Sequence, residues 1–471
     1  MPGVRSFAMG LLDGVRDLGT GLSRWTERWV PDAWVFCMAL TVVALLLAIL
    51  GAGATVEEAV LAWGEGLWNL LALAMQFTIA MVAAHACVSS RPVFNLLDRL
   101  ASTPDPERPL QAVALAGAFS LLTSYLNWAF CLVACALFVP FLCRRNPHAD
   151  VRLLIAGCYL GLGTVWHGGF SGSAPLILAT PGNPLLAPAS GAPIVDRLYP
   201  VTETLFHPFN AVYLVAIAAV AMLTTLALHP RRSEDRLTLR PEQVDAILPR
   251  PPDPPRSDGS PRGRIEGFRG WVWLAALLIA YPLGHSIATQ GFGTSWTINA
   301  YNAAFLVAAL LLHGRPLAFL GACRRGMDAA WGIVVQFPFY AGIFGIMVHT
   351  GLGTWIGDLF ARLASQSSYP FVVYAYSGLM NLFVPSAGSK WLIEAPFLIP
   401  AGEALDVSVV TVLLAYAYGD STTNLIQPFW AIPILAVTRL RFGDVVGYLL
   451  LIAAACFLAS SVAMALIPAQ L

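Results

Sequence analysis

The chain alternates between long apolar runs and short polar connections. Runs of about 20 residues recur, for example at 33–53, 68–88, 208–228 and 444–468, and about 20 helical residues cross a hydrocarbon core of about 30 Å. The runs are continuous and lack the apolar/polar alternation of a membrane β-barrel. Because backbone polar groups in lipid must be paired within their own segment, the pattern predicts membrane-spanning helices. We expect an all-α polytopic fold with about ten of them.

Composition supports a membrane protein. Of the 471 residues, 57% are hydrophobic and 11% are charged, whereas a soluble domain carries about 25% charged residues. The first apolar run begins near Ala33 and is too long for the core of a signal peptide, so we expect it to remain as the first membrane helix. The preceding residues 5–30 mix arginines with tryptophans, which is typical of a helix lying at the interface or of a solvated tail.

Arginine sorts between the loops and predicts the orientation. It is concentrated at the N-terminus and in loops near 91–108, 144–152, 229–269, 315–325 and 439–441. By the positive-inside rule these loops, and the N-terminus with them, are cytoplasmic. Residues 110–142 then have cytoplasmic flanks on both sides, yet are too many for one span and too few for two. We therefore expect a re-entrant hairpin there, and a second one at 370–400 that opens to the outside.

Opposite hairpins imply two halves in inverted orientation. Weak echoes at offsets of 260 and 258 agree, since Gln76-Phe77 recurs as Gln336-Phe337 and Gly161 recurs as Gly419. We expect a first repeat at 1–228, a cytoplasmic linker rich in arginine and proline at 229–269, and a linking helix with the inverted repeat at 270–471. The linker composition favours a flexible spacer over a domain.

Four stretches are too polar or too rich in glycine for continuous helix facing lipid, namely 123–130, 164–184, 381–397 and 418–430. Irregular backbone survives at membrane depth only where it is buried or lines a cavity. Broken helices expose free N–H groups at one end and free carbonyls at another, so they attract an anion and a cation. The sequence therefore predicts a carboxylate site with a coupling cation, and no other cofactor.

The candidate residues come from these four stretches. For the substrate they are Asn127, Ser171, Gly172, Ser173, Ser386, Gly388, Ser389, Lys390, Asn424 and Gln427. For a coupling cation or proton they are Asp420, Ser421, Thr422 and Glu394. The alternative is that such small polar residues only help helices to pack closely.

Lys390 is the single lysine of the chain and lies within an apolar hairpin. A cation at membrane depth costs about 2.5–3.5 kcal/mol on insertion scales. Glu394 follows four positions later and could pair with it on one helix face. Lys390 is accordingly half of a structural pair with Glu394, a lysine whose stem reaches the outer membrane surface, or a counter-charge for the substrate. Asp420 has no basic neighbour in its own span, which favours a cation or proton role.

Three further patterns favour structural interpretations. His167 could titrate near neutral pH, but a single histidine beside two glycines is more often a hydrogen-bonded structural residue. The Gly169–Gly172 segment matches the GxSG of intramembrane serine proteases, a four-residue match that lacks a recognisable histidine base. The eight cysteines show no CxxC pairing, so neither disulfides nor a metal site is indicated. The arginine-rich linker is explained by topology and does not indicate nucleic-acid binding.

The same stretches resemble the bacterial short-chain fatty acid transporter family. The similar motifs are WVPD from Trp29, WGEGLWNLLALAMQ from Trp63, GGFSGSAPLILATPGNP from Gly168, VQFPFYAGI from Val335, NLFVPSAGSKW from Asn381 and QPFWAIP from Gln427. The resemblance implies a carrier of small monocarboxylates such as butyrate and acetoacetate. The family is grouped with the broader ion transporter superfamily, which implies an elevator-type mechanism and a homodimer in the inner membrane. The coupling ion expected from Asp420 and Glu394 is Na⁺ or H⁺.

This chain departs from the family pattern inside the presumed site. Family members typically carry uncharged residues in place of Lys390 and Glu394, Glu-Gln in place of Asp420-Ser421, and glycine in place of His167. These differences bear on the substrate and the coupling ion rather than on the fold. A carrier of another small anion, an amino acid or a dicarboxylate on the same fold is the alternative.

Overall fold

A computed structural model describes residues 33–186, 192–230, 232–249, 260–384 and 386–471. Within these ranges the chain is all-helical and contains no strand. The proposed interfacial helix at 5–30 lies outside them. The helices are α1 Ala33–Leu50, α2 Val56–Gly66, α3 Leu71–Val88, α4 Arg91–Ala101, α5 Pro109–Leu126, α6 Trp128–Arg145, α7 Val151–Tyr159, α8 Ser173–Ala179, α9 Pro208–Ala227, α10 Pro241–Ile247, α11 Pro261–Glu266, α12 Gly270–Gln290, α13 Phe292–Ser295, α14 Ile298–His313, α15 Pro316–His349, α16 Leu352–Leu363, α17 Tyr369–Asn381, α18 Ala387–Ala404, α19 Val409–Asn424, α20 Pro428–Thr438 and α21 Phe442–Leu466.

Several helices are long and apolar enough to cross a membrane. By length and composition the described residues contain seven such helices. They are α3, α5, α6, α9, α21, the α11–α12 region and residues 330–349 of α15. Shorter apolar helices lie at Trp34–Leu50 and Ile298–His313. The chain is therefore a multi-pass membrane protein, as its apolar runs predict.

The two halves contain their helices in the same order. In the first half α5 and α6 are followed by α7, by a broken stretch with α8, and by α9. In the second half α17 and α18 are followed by α19, α20 and α21. The long helix α15 corresponds to α2 and α3 together, and α12 has no counterpart. This order is the one expected from a repeated unit with one linking helix.

Contacts between the halves are reciprocal. Helix α6 packs on α20 of the other half, while its equivalent α18 packs on α8. The rings of Phe77 and Phe337, which are equivalent in the sequence echo, contact each other with centroids 5.8 Å apart. Such reciprocity is typical of two units that are related by a two-fold axis.

The glycines of the second sequence echo have the same role in both halves. A Cβ on Gly161 would lie 2.2 Å from the carbonyl oxygen of Ser120 on α5, and a Cβ on Gly419 would lie 2.0 Å from that of Tyr374 on α17. Both glycines therefore allow the segment after each hairpin to approach the hairpin's first helix. Any side chain at these positions would force backbone apart.

The first hairpin is broken at its tip, but its arms are longer than the sequence suggests. Asn127 is extended and separates α5 from α6, each of 18 residues. At 1.5 Å per residue each arm measures about 27 Å, close to the thickness of the hydrocarbon core. The arms begin at Pro109 and end at Arg145, slightly beyond 110–142 at both ends, and the re-entrant path of this hairpin stays a prediction. The break at the tip is confirmed.

The linker is more ordered in its first part than a flexible spacer. The Val151 N–H donates to the Leu237 carbonyl at 2.9 Å, and the Leu237 N–H donates to Asp150 Oδ2 at 3.2 Å. Val244 in α10 is buried in the main core. Composition alone predicted a flexible spacer, whereas the first part of the linker packs against the protein, with α10 contacting α6.

Candidate functional site

Two broken segments meet inside the protein. One is the non-helical stretch 164–172 before α8, and the other is the break between α17 and α18. Gly172 immediately precedes α8, and a Cβ there would lie 2.1 Å from the His167 carbonyl oxygen. Ser173 begins α8, and its Cβ lies 3.6 Å from where a Cβ on Gly388 would be. The two segments therefore lie beside each other, at the place where the sequence predicts the halves to meet.

A buried ion pair lies at the centre of this region. Lys390 Nζ lies 2.9 Å from Asp420 Oδ1, and both side chains are 1% exposed. The same ammonium donates to the carbonyl oxygen of Ser377 at 2.7 Å and to its Oγ at 3.0 Å. The ammonium is therefore hydrogen-bonded to Ser377 and ion-paired with Asp420, whose Oδ1 accepts no well-aligned hydrogen bond from the described residues. Lys390 is held by α17 and α19 rather than reaching toward the membrane surface.

His167 joins the first half to this pair. Its Nδ1 lies 3.1 Å from Asp420 Oδ2, and its Nε2 accepts the Ala174 N–H at 3.2 Å. A backbone N–H can only donate, so Nε2 carries no proton and the Nδ1–H donates to Asp420. His167 is therefore neutral in this arrangement. The two oxygens of Asp420 therefore contact different halves of the protein. Oδ1 contacts Lys390 of the second half, and Oδ2 contacts His167 of the first half.

The expected Lys390–Glu394 pair does not form. Lys390 is on α18 and pairs with Asp420 on α19 instead. The four-residue spacing does place Glu394 one turn away, but the long lysine stem crosses to the neighbouring helices, where Ser377 supplies two further acceptors. Asp420 has no basic neighbour within its own helix, as the sequence predicts. Its cation, Lys390, comes from the neighbouring helix α18.

Glu394 is left without a partner. It is 1% exposed, and neither carboxyl oxygen has a hydrogen-bond partner in the part of the chain that the structure describes. A buried carboxyl group without hydrogen bonds is costly to ionise. It is therefore the polar group of the site that the described packing satisfies least.

The GDSTTN stretch is helical rather than broken. Asp420, Ser421 and Thr422 lie within α19, which ends at Asn424. Gly419 here serves close packing instead of a break, and Thr422 Oγ1 bonds back to the Tyr418 carbonyl at 2.9 Å within the helix. The break comes after Asn424, before α20 begins. Ser421 Oγ is buried and has no partner among the described residues.

The helices after the two hairpin tips begin differently. At α6, Asn127 Oδ1 accepts the Phe130 N–H at 2.9 Å, and Ser171 Oγ accepts the Trp128 N–H at 3.0 Å. At α18, the Ser386 side chain makes no capping bond to the described residues and instead pairs with Ser389 Oγ at 2.8 Å. The tip of α6 is thus closed by side chains. The tip of α18 presents uncapped N–H groups and two hydroxyls.

The amide side chain of Asn424 connects the two halves, and the amide side chains of Asn381 and Gln427 form hydrogen bonds beside it. Asn424 Nδ2 donates to the Leu162 carbonyl at 3.0 Å, and Asn424 Oδ1 accepts from Asn381 Nδ2 at 2.7 Å. Gln427 Nε2 reaches the Asn381 carbonyl at 3.4 Å, while its Oε1 has no partner among the described residues. Asn424 therefore has a structural role here, and Gln427 retains a free acceptor.

Sequence reasoning undervalued two residues. His167 lies 253 positions from its partner Asp420, and Ser377, which binds Lys390, is an ordinary serine in an apolar helix. The signal for His167 was present, since it is an ionisable residue inside a broken membrane segment. No local pattern marks Ser377.

Comparison with known proteins agrees with this geometry. A family model described as "Short chain fatty acid transporter" matches residues 15–467. A short-chain fatty acid transporter of Escherichia coli is 39% identical over 431 residues, covering 91% of this chain and 94% of the relative. One of Haemophilus influenzae is 33% identical over 432 residues, with the same shares covered.

Two solved structures share the fold. The YdaH transporter of Alcanivorax borkumensis aligns with a TM-score of 0.60 at 16% identity, covering 93% of this chain and 98% of that one. The efflux pump MtrF of Neisseria gonorrhoeae aligns with a TM-score of 0.54 at 14% identity, covering 95% and 97%. At these identities the likeness concerns the fold alone.

The protease interpretation of the GxSG match is excluded. Ser171 uses its hydroxyl to accept the Trp128 N–H at the start of α6, and the family and both relatives are transporters rather than enzymes. The family match spans nearly all of the sequence, and both relatives exceed 30% identity over nine-tenths of it. This chain therefore belongs to the short-chain fatty acid transporter family.

Proposed function

We propose that this protein is a secondary active transporter of short-chain fatty acids or similar small monocarboxylates, such as butyrate and acetoacetate, across the bacterial inner membrane. Transport is coupled to Na⁺ or H⁺. The substrate carboxylate binds at the N-terminus of α18 beside Ser173. The coupling ion binds near Asp420 and Glu394.

The observation that carries this proposal is the uncapped start of α18. A helix N-terminus with unpaired N–H groups attracts anions through its N–H groups and dipole. Ser386 and Ser389 place two hydroxyl groups there, and while these bond to each other one hydroxyl proton remains free to donate. The equivalent end of α6 is already occupied by Asn127 and Ser171. The site is thus asymmetric and offers one carboxylate position.

The charge of the site favours a monocarboxylate. Lys390 and Asp420 neutralise each other, and His167 is neutral by its hydrogen bonds. No second cation among the described residues of the site remains for a second carboxylate. A dicarboxylate would bring an uncompensated charge into a buried place, which is strongly unfavourable. A monocarboxylate with one coupling cation adds no net charge to the site.

An inverted repeat and an elevator-type movement complete the proposal. The shared helix order and the reciprocal contacts of α6 with α20 and of α18 with α8 support the repeat. Transporters of this design place their site where broken helices meet at the repeat interface. We further propose a cytoplasmic N-terminus, from the arginine distribution, and a homodimer, from the family resemblance.

Uptake into proteoliposomes tests the function. Purified protein is reconstituted, and initial rates are measured with labelled butyrate, acetoacetate, succinate and alanine, with Na⁺ and H⁺ gradients imposed separately. Protein-free liposomes supply the passive rate of each neutral acid. We expect carrier-dependent uptake of the two monocarboxylates that responds to one of the gradients. Uptake of succinate or alanine in preference to both monocarboxylates would overturn the proposal.

A further inference from the structure

We propose that Glu394 carries the coupling proton and that Lys390 switches its partner from Asp420 to Glu394 when this proton leaves. The inference rests on the proposed monocarboxylate transport and specifies its coupling ion. Asp420 is then a fixed counter-charge rather than the proton carrier.

The charges around Asp420 and Glu394 require a proton on Glu394. Asp420 has the Lys390 ammonium 2.9 Å from Oδ1 and accepts a hydrogen bond from His167 on Oδ2, so its negative charge is compensated. Glu394 is equally buried but has no donor in the described surroundings. An ionised Glu394 would leave the site with one negative charge in excess and without hydrogen bonds. In this arrangement Glu394 therefore holds a proton.

The titratable groups near Glu394 lie on α17, α18 and α19. Lys390 on its own helix and Asp420 on α19 are the charged groups close enough to act on it. Tyr376 from α17 and Tyr416 from α19 lie near it as neutral phenols.

The remaining helices packed on α18 add no charge at this place. On α16, Asp358 and Arg362 are exposed, and α8 contains no titratable side chain. On α15, the acidic and basic residues near its start are exposed, and His349 at its end is half-buried. Lys390 is therefore the cation available to a deprotonated Glu394.

The spacing along α18 allows Lys390 to exchange Asp420 for Glu394. Lys390 and Glu394 are four positions apart on α18, a spacing at which side chains on one helix face can pair. When Glu394 releases its proton to water, the new carboxylate competes with Asp420 for the same ammonium. Asp420 keeps the His167 N–H during the exchange. Protonation of Glu394 returns Lys390 to Asp420 and Ser377.

Protonation of Glu394 affects the binding of the substrate carboxylate. A substrate carboxylate at the start of α18 would meet Asp420 and an ionised Glu394 as two further negative charges beside one lysine. Protonation of Glu394 removes one of them, so substrate binding and proton binding favour each other. Each monocarboxylate then enters together with one proton, so the net charge of the site is the same before and after binding.

The variant Glu394→Gln tests the proposal, because glutamine mimics the protonated form and cannot release the proton. We expect exchange of labelled for unlabelled butyrate to continue at symmetric pH. The ratio of initial uptake rates with and without an alkaline interior, after subtraction of protein-free liposomes, should fall to about one, since a gradient without a coupled site shifts nothing. Glu403→Gln, an exposed glutamate at the other end of α18, should keep the wild-type ratio.

The outcomes separate the two levels of the proposal. A wild-type carrier that moves no monocarboxylate refutes the proposed function itself. A wild-type carrier that does so while Glu394→Gln keeps its response to the pH gradient, or one driven by Na⁺ alone, refutes only the role of Glu394. If Glu394→Gln fails to fold, Glu394→Asp keeps a titratable carboxyl and should retain the response.

A measurement on the wild-type protein gives an independent decision. Butyrate is added to purified protein in weakly buffered alkaline solution, where Glu394 is ionised in the free carrier. We expect protons to be taken up on binding, seen with a pH indicator. Proton release, or no change in pH, would overturn the inference.

Discussion

Replacement of Lys390 by methionine removes a buried charge while keeping most of the side-chain stem. Lys390 and Asp420 are each 1% exposed, and their charged atoms lie 2.9 Å apart. The ammonium also lies 4.8 Å from the centre of the Tyr416 ring. After the substitution, Asp420 keeps one donor, His167, and its charge has no cation nearby.

The expected cost follows from burial. Removing one partner of a buried pair destabilises a protein by about 3–5 kcal/mol, because the other charge remains uncompensated. The double variant Lys390→Met with Asp420→Asn removes both charges and should recover most of this loss, since a neutral pair of similar volume is often tolerated. The penalty of the single variant should shrink as the pH falls, because Asp420 can then take up a proton and become neutral.

The free energy of unfolding is measured in mixed micelles for the wild type, both single variants and the double variant. Asp98→Asn serves as the control, since its ion pair with Arg145 is substantially exposed and exposed pairs contribute little. The reasoning is refuted if Lys390→Met destabilises no more than Asp98→Asn. It is equally refuted if the double variant is no more stable than Lys390→Met.

Three further substitutions probe the packing, the linker and the bridge between halves. Gly161→Ala should destabilise by about 1–3 kcal/mol, because its Cβ would overlap backbone of α5, whereas Gly64→Ala meets nothing within 4 Å and should be neutral in a thermal melt. Asp150→Ala removes the acceptor that ties down the linker, so trypsin should cut after Arg236 faster than in the wild type; an unchanged rate would contradict the docking. His167→Phe leaves Asp420 Oδ2 and the Ala174 N–H without a partner, and should cost about 1–3 kcal/mol for each group in the same unfolding assay; unaltered stability would show that the bridge is dispensable.

The sequence predicted the broken elements better than the continuous ones. Glycine and polar residues correctly placed the break before α8 and the one before α18, because both features are local. The same reasoning placed a break within 418–430, and the break does lie there, at 425–427, but Gly419 itself serves close packing against α17 and the helix continues through Asp420. In the sequence, a glycine that breaks a helix cannot be distinguished from a glycine that allows close packing. Its role depends on which helix lies beside it.

Pairing across the molecule was beyond local reasoning. Spacing along α18 suggested Glu394 as the partner of Lys390, but Asp420 and Ser377 come from other helices. Nothing in the spacing of one helix reports which neighbour packs against it. The Asp420–His167 contact spans 253 positions. It follows from the way the two halves meet rather than from either half alone.

Equilibrium binding of labelled butyrate to the purified protein tests the carboxylate site most directly. In Ser386→Ala with Ser389→Ala both hydroxyls at the start of α18 are lost. Hydrogen bonds to a charged group contribute about 1.5–3 kcal/mol each, so binding should weaken at least about tenfold. Ser365→Ala with Ser367→Ala, two exposed serines in the loop before α17, should bind as the wild type does. An affinity unchanged by loss of Ser386 and Ser389 would contradict the assignment of the substrate carboxylate to this helix end.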